Sequence, residues 1–176
     1  GFASVIGVGI AKAGGTGDAT QISRSMMSGL AFAAILSLLA AVIMAATTQL
    51  VSSLAPSASV ASLTQTYWLA MTAAVLPHTM LAALRGAYTA LGQPWTALSI
   101  TLIGIGLNIP LNQYLIHGVA GLEGLGVFGA GMTSLLAKTV AVAIFVIHWR
   151  TAKTMKVSHS DFRLSLRTFA ALARDG

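Results

Sequence analysis

Apolar residues in this chain fall in long blocks, with no strand-like alternation. Residues 25–54 hold no charged side chain, nor do 66–84, although His78 lies there, nor do 95–116. Residues 125–149 are interrupted only by Lys138. A helix needs about 20 apolar residues to cross the hydrocarbon core of a bilayer. The pattern therefore predicts four spanning helices, at 25–54, 66–84, 95–116 and 125–149. Residues 1–11 are apolar but too short to span, and are expected to be the end of a further helix, cut by the start of the chain. A signal peptide would need an initiator Met and a basic segment before the apolar run, and neither is present. The expected fold class is all-α, a polytopic transmembrane helix bundle.

The connections differ in charge. The loop at 12–24 carries Lys12 and Arg24, the loop at 85–94 carries Arg85, and the segment 150–176 carries Arg150, Lys153, Lys156, Arg163, Arg167 and Arg174. The intervening loops, 52–65 and 117–124, carry no Lys or Arg. Cytoplasmic loops hold the Lys/Arg excess, so 12–24, 85–94 and the tail are expected inside, and 52–65 and 117–124 outside. The alternation also supports the count of four spans. Asp18 followed by Gln21 resembles a capping box and predicts a helix start near Ala19. Pro56 among Ser52, Ser53, Ser57 and Ser59 marks an outer turn. Gly14, Gly15 and Gly17 suggest a phosphate-binding loop, but the Gly-Lys-Ser/Thr that should follow is missing.

Composition narrows the function. Of the 176 residues, 56% are hydrophobic and 8% charged, against about 25% charged in soluble domains. That excludes a soluble enzyme, a disordered chain and a nucleic-acid-binding domain, because the net charge of +6 sits where a membrane explains it. There is no Cys, hence no disulfide framework or thiolate metal site. The four His lie in separate segments without an HExxH pair, and no Ser stands in a nucleophile elbow. Neither an enzyme nor a resident cofactor or metal is expected.

Small and polar residues inside the spans say more. Gly29, Ala33, Ser37, Ala41 and Ala45 recur every four residues, a stripe that lets another helix approach closely. Gly129 with Thr133 and Ala130 with Ser134 are further small pairs. In the third span Asn108 and Asn112 share a helix face, and Thr101 joins it. Pro110 cannot donate to the carbonyl of Gly106. Two amides, a hydroxyl and a loosened carbonyl describe either a polar pocket wall or interhelical hydrogen bonding without a ligand. Pro77 frees the carbonyl of Ala73, and the adjacent His78 is either a packing group or a titrating one. Lys138 costs about 2.5–3.5 kcal/mol at a helix centre on insertion scales. The four acidic residues, Asp18, Glu123, Asp161 and Asp175, all lie in connections or the tail. A carboxylate partner for Lys138 would come from outside these 176 residues. In the tail, Phe162, Leu166 and Phe169 recur at helical spacing beside Arg163, Arg167 and Arg174, and Ser158 with Asp161 suggests a start. These features predict a basic amphipathic helix at the membrane surface.

Several segments together resemble the MATE family (multidrug and toxic compound extrusion). They are Ala13-Gly14-Gly15-Thr16-Gly17-Asp18 with Arg24, Tyr67 at a span start, Leu84-Arg85-Gly86, Gly92-Gln93-Pro94, Asn108-Ile109-Pro110-Leu111-Asn112 with Gly118, and the run from Leu125 to Ser134. The resemblance implies that 1–11 is the end of the second helix, that the four spans are helices three to six of an N-terminal six-helix lobe, and that 150–176 links to the second lobe. It implies an integral membrane antiporter, expected in a bacterial inner membrane, that exports amphiphilic organic cations in exchange for H⁺ or Na⁺. Its partners would be the bilayer, the missing first helix and the second lobe. Asn108 matches a family pocket residue. Asn112 stands where some members carry Asp. Either Thr133 or Ser134 matches a hydroxyl position. Two other functions are compatible with the fold. A flippase for lipid-linked precursors, or a polysaccharide exporter of the same superfamily, would use basic cavity residues, for which Lys138 is the one candidate. A non-transporting membrane subunit would need a stable partner and show no flux.

Overall fold

The computed structural model of the chain describes residues 19–119 and 122–151. The expected short helix at 1–11, most of the Gly-rich loop with Asp18, and the amphipathic tail helix lie outside the described residues. The elements in order are α1 (Ala19–Ala46), α2 (Thr48–Ser53), α3 (Ala58–Ala90), α4 (Pro94–His117), a hairpin of β1 (Gly118–Val119) and β2 (Leu122–Glu123), and α5 (Gly126–Thr151). Four of the helices, α1, α3, α4 and α5, are long and apolar enough to cross a membrane.

The helices depart from the charge-free blocks for local reasons. The first block divides at Thr47, where α1 ends and the short α2 begins. There the Thr47 hydroxyl donates to the carbonyls of Ile43 and Met44, and Thr48 donates to Met44. Such bonds back to the preceding turn offer the backbone an alternative to straight helix. The third helix starts eight residues earlier than expected, because Ser57 caps it: its Oγ accepts from the Val60 N–H at 3.3 Å. It also runs on past Arg85 to Ala90. There the Gln93 N–H donates to Tyr88 O and the Gly92 N–H to Thr89 O, a Schellman stop. That stop needs the left-handed φ of 74° held by Gly92. Pro94 then opens α4 at its first position, where its missing N–H costs nothing. Pro77 and Pro110 both sit inside uninterrupted helices.

The third helix is the hub, packed against α1, α2, α4 and α5, and α5 packs in turn against α4. The two ends of the bundle are built differently. At the end near the α3–α4 turn the core is large: Met26, Leu84, Tyr88, Ile100 and Phe145 are buried together. Towards the other end the contacts are between small residues. A Cβ added at Gly131 would overlap Ala70 of α3, and one at Gly129 would overlap the Leu115 carbonyl of α4. The Trp68 indole N–H also ties α3 to α1, donating to Met44 O at 2.7 Å.

The small-residue stripe on α1 is only partly an interface. Gly29, Ala33 and Ser37 are buried, Ala41 is half-buried and Ala45 exposed. Each step of four residues turns the side chain about 40° past a full turn. Over five positions the stripe therefore rotates out of the contact, and Ser23 and Met26 complete the buried face instead. Leu38, Leu39, Val42 and Ile43 remain exposed, as suits side chains that meet lipid.

Candidate functional site

The buried seam of α4 consists of Ala97, Ile100 and Gly104. Gly104 lies against α5, where an added Cβ would stand 3.1 Å from Ala141 Cβ and 3.6 Å from Ala137 O. Leu115 meets Gly129 at the other end of the seam. These two contacts set an antiparallel register between α4 and α5. In it Asn112 and Thr133 share one depth, and Lys138 falls near Gly106.

Asn108 and Asn112 are half-buried, and Asn112 Nδ2 donates to Asn108 Oδ1 at 2.9 Å. Measured from Gly104, Thr101 is turned by about 60°, Asn108 by about 40° and Asn112 by about 80°, all in one direction. The polar face therefore runs beside the α4–α5 seam and does not fill it. Thr101 is half-buried and its hydroxyl donates to Ala97 O at 2.7 Å. The amide pair keeps both N–H groups of Asn108 and the carbonyl oxygen of Asn112 for other partners. It presents donors and an acceptor without net charge.

One expectation fails here. The carbonyl that Pro110 leaves unpaired belongs to Gly106, which is exposed. Two residues along a helix are about 200° apart, so this carbonyl faces away from Asn108 and takes no part in the polar wall.

Of the two hydroxyl candidates, Thr133 lies on the packed side of α5, fully buried, and donates to Gly129 O at 2.8 Å. Ser134 is half-buried and is set about 100° round the helix from Thr133. Lys138 is half-buried on α5 and His78 exposed on α3. The contacts Ala70–Gly131 and Tyr88–Phe145 set a parallel register of α3 and α5, which puts His78 at the depth of Lys138.

A polar cluster at the opposite end of α3 was not anticipated. The Tyr88 hydroxyl, fully buried, lies 3.2 Å from Phe145 O and 2.9 Å from His148 Nδ1. Both contacts are hydrogen bonds when His148 carries its proton on Nδ1, since the phenol has one proton to give. Phe145 meets the Tyr88 ring edge-on at 4.9 Å, and Trp149 does so at 6.3 Å. Such ring pairs contribute about 0.5–1.5 kcal/mol beyond their burial. The available signal was a pair of aromatic groups near the charged ends of two spans.

The MatE family model matches residues 1–114. Among relatives, the probable multidrug resistance protein NorM of Bradyrhizobium diazoefficiens is 32% identical over 143 residues, covering 80% of this chain and 31% of the relative. The protein of the same name from Agrobacterium fabrum is 28% identical over 156 residues, 89% of this chain and 34% of the relative. The chain thus spans about a third of the length of these relatives. Two solved structures of multidrug resistance MATE family transporters of the MOP superfamily share the fold. The inward-facing one gives a TM-score of 0.78 at 23% identity over 98% of this chain and 40% of that chain. The outward-facing one gives 0.77 at 21% identity over 98% and 39%. With the family model covering well over half its residues, this membrane-spanning chain belongs to the MatE family.

Proposed function

We propose that this chain is the larger part of one lobe of a secondary-active multidrug efflux antiporter in a bacterial inner membrane. Its cargo is amphiphilic organic cations, exchanged for H⁺ or Na⁺. The observation that carries the reading is the Asn108–Asn112 amide pair, hydrogen-bonded at 2.9 Å beside the α4–α5 seam. Asn108 lies nine residues, about 14 Å, from the end of α4, deep in the apolar layer. Polar groups at such depth usually face a bundle interior or a wet cavity. A neutral amide wall suits an organic cation, because it solvates without fixing one geometry. The carbonyl of Asn112 is also an oxygen ligand of the kind hard cations take.

Resemblance to both an inward-facing and an outward-facing structure supports a lobe that moves as one body while access alternates. The test is Asn108→Leu in the full-length transporter. Ethidium export should fall about tenfold, the loss of one or two hydrogen bonds to a charged ligand, with the protein still present in the membrane. Export at the parent rate for every cation tried would overturn the pocket.

A further inference from the structure

Aromatic rings near the ends of the long helices fall at two levels. The contact of Ala70 with Gly131 sets Tyr67 of α3 level with Phe128 of α5, three residues away on each helix. The contact of Leu115 with Gly129 brings Tyr114 of α4 within about two residues of that level. All three rings are exposed. At the other end, Gly104 against Ala137 and Ala141 sets Trp95 within about one residue of Trp149, and Trp95 is 77% exposed. From Phe128 to Trp149 is about 32 Å along α5, and from Trp95 to Tyr114 about 29 Å along α4. Aromatic belts form at the two faces of a bilayer, whose hydrocarbon core is about 30 Å thick. The rings therefore mark where the membrane begins and ends on this bundle.

The hairpin of α1, α2 and α3 runs on past the belt that holds Tyr67. Ala58, the first residue of α3, stands about 14 Å beyond Tyr67. The Trp68 bond to Met44 O places α1 at the belt near Ala45, so α2, which packs on α3, lies beyond it too. This tip is not built for water. Residues 47–65 carry no charged side chain. The hydroxyls of Ser52, Ser53 and Ser62 donate to carbonyls of their own helices, while Leu50, Leu54, Val60 and Leu63 are exposed. These apolar groups point to both sides of the hairpin. Leu50 is turned about 200° from Thr48, the buried residue of α2. Leu63 is turned about 140° from Trp68, which reaches α1. A protein seated on one side would leave the other bare, whereas lipid surrounds both. The headgroup layer beyond the core is about 5–8 Å thick. It takes in Leu63, about 6 Å beyond Tyr67, and Leu50, which is level with Ser62. We propose that this tip is a membrane-surface anchor, inserted among the phospholipid headgroups on its side of the bilayer by apolar contact and not by charge.

The test uses the full-length protein in phosphatidylcholine vesicles and does not depend on the transport reading. Leu50→Cys and Leu63→Cys each carry a nitrobenzoxadiazole dye. Leu39→Cys, on the exposed face of α1 about 9 Å inside the belt, is the control. All three side chains are at the surface, so the substitutions leave the packing intact. Vesicles contain lipid with a nitroxide either on the headgroup or deep in the acyl chain. The headgroup nitroxide should quench the dye at Leu50 and Leu63 at least about twofold more than the chain nitroxide, since quenching tracks depth in the layer. The control should show the reverse order. Water reaches the headgroup layer, so added iodide should quench at the two tip sites as well. Quenching there by iodide with no effect of either lipid would show a tip standing in water and overturn the anchor. Protection from iodide and both lipids would show a protein partner and overturn it equally, as would lipid quenching at one of the two sites alone.

Discussion

At the residue scale, the few buried polar side-chain atoms among the described residues are bonded, mostly to the helix that carries them. Thr101, Thr133 and Ser37 each donate to a carbonyl one turn back. Tyr88 differs, because its hydroxyl joins α3 to α5 at Phe145 O and His148 Nδ1. Tyr88→Phe keeps the ring and leaves the His148 nitrogen without this partner. It should cost about 1–3 kcal/mol, read as a lower unfolding midpoint in denaturant, while Tyr88→Ala, which also opens a cavity, should cost about 3–5 kcal/mol. Equal midpoints for parent and Tyr88→Phe would show that the hydroxyl contributes nothing to the helix contact.

At the element scale, close approach separates one glycine from another. Gly129 faces the Leu115 carbonyl so closely that a methyl group would overlap it, whereas Gly106 has nothing within 4 Å of an added Cβ. Backbone cannot turn aside as a side chain can, so Gly129→Ala must push α5 away from α4. We expect a loss of about 1–3 kcal/mol for Gly129→Ala. Gly106→Ala should be neutral or stabilising by about 0.5–1 kcal/mol, from helix propensity. Thermal unfolding of the two variants side by side checks the contrast, and the reverse order would mean that the α4–α5 contact is looser than described. In the sequence Gly129 stood in a small-residue pair with Thr133 and Gly106 one turn before Pro110, and neither feature names the helix that the glycine meets. Which of them touched a neighbour depended on how the two helices were rotated about their axes, and long apolar helices carry little polar asymmetry to announce that rotation.

At the scale of the whole molecule, the expected orientation follows from the nine Lys/Arg in alternate connections and none in the others. Ser59→Cys, in the first turn of α3 within the segment expected outside, and Thr16→Cys, in the loop expected inside, test it in the full-length protein. Ser59 is chosen over Ser57 because Ser57 caps α3. An impermeant thiol reagent on intact cells should label Ser59→Cys and spare Thr16→Cys. Labelling of Thr16→Cys alone would invert the topology.

The sequence alone was enough for a membrane bundle with four long helices, for its family resemblance and for the shared face of Asn108 and Asn112. These follow from composition, block length and helical periodicity, which act along the chain. Tertiary structure decided the rest. It turned Ala45 out of the packed stripe and set Gly129, not Gly106, against a neighbouring helix. It brought Tyr88 to His148 across sixty residues and His78 level with Lys138 on neighbouring helices. Each of these depends on the register and rotation of one helix against another. In this chain those are set by where small residues permit contact, Gly129 on Leu115 and Gly131 on Ala70, and no spacing within a single helix encodes the partner it will meet.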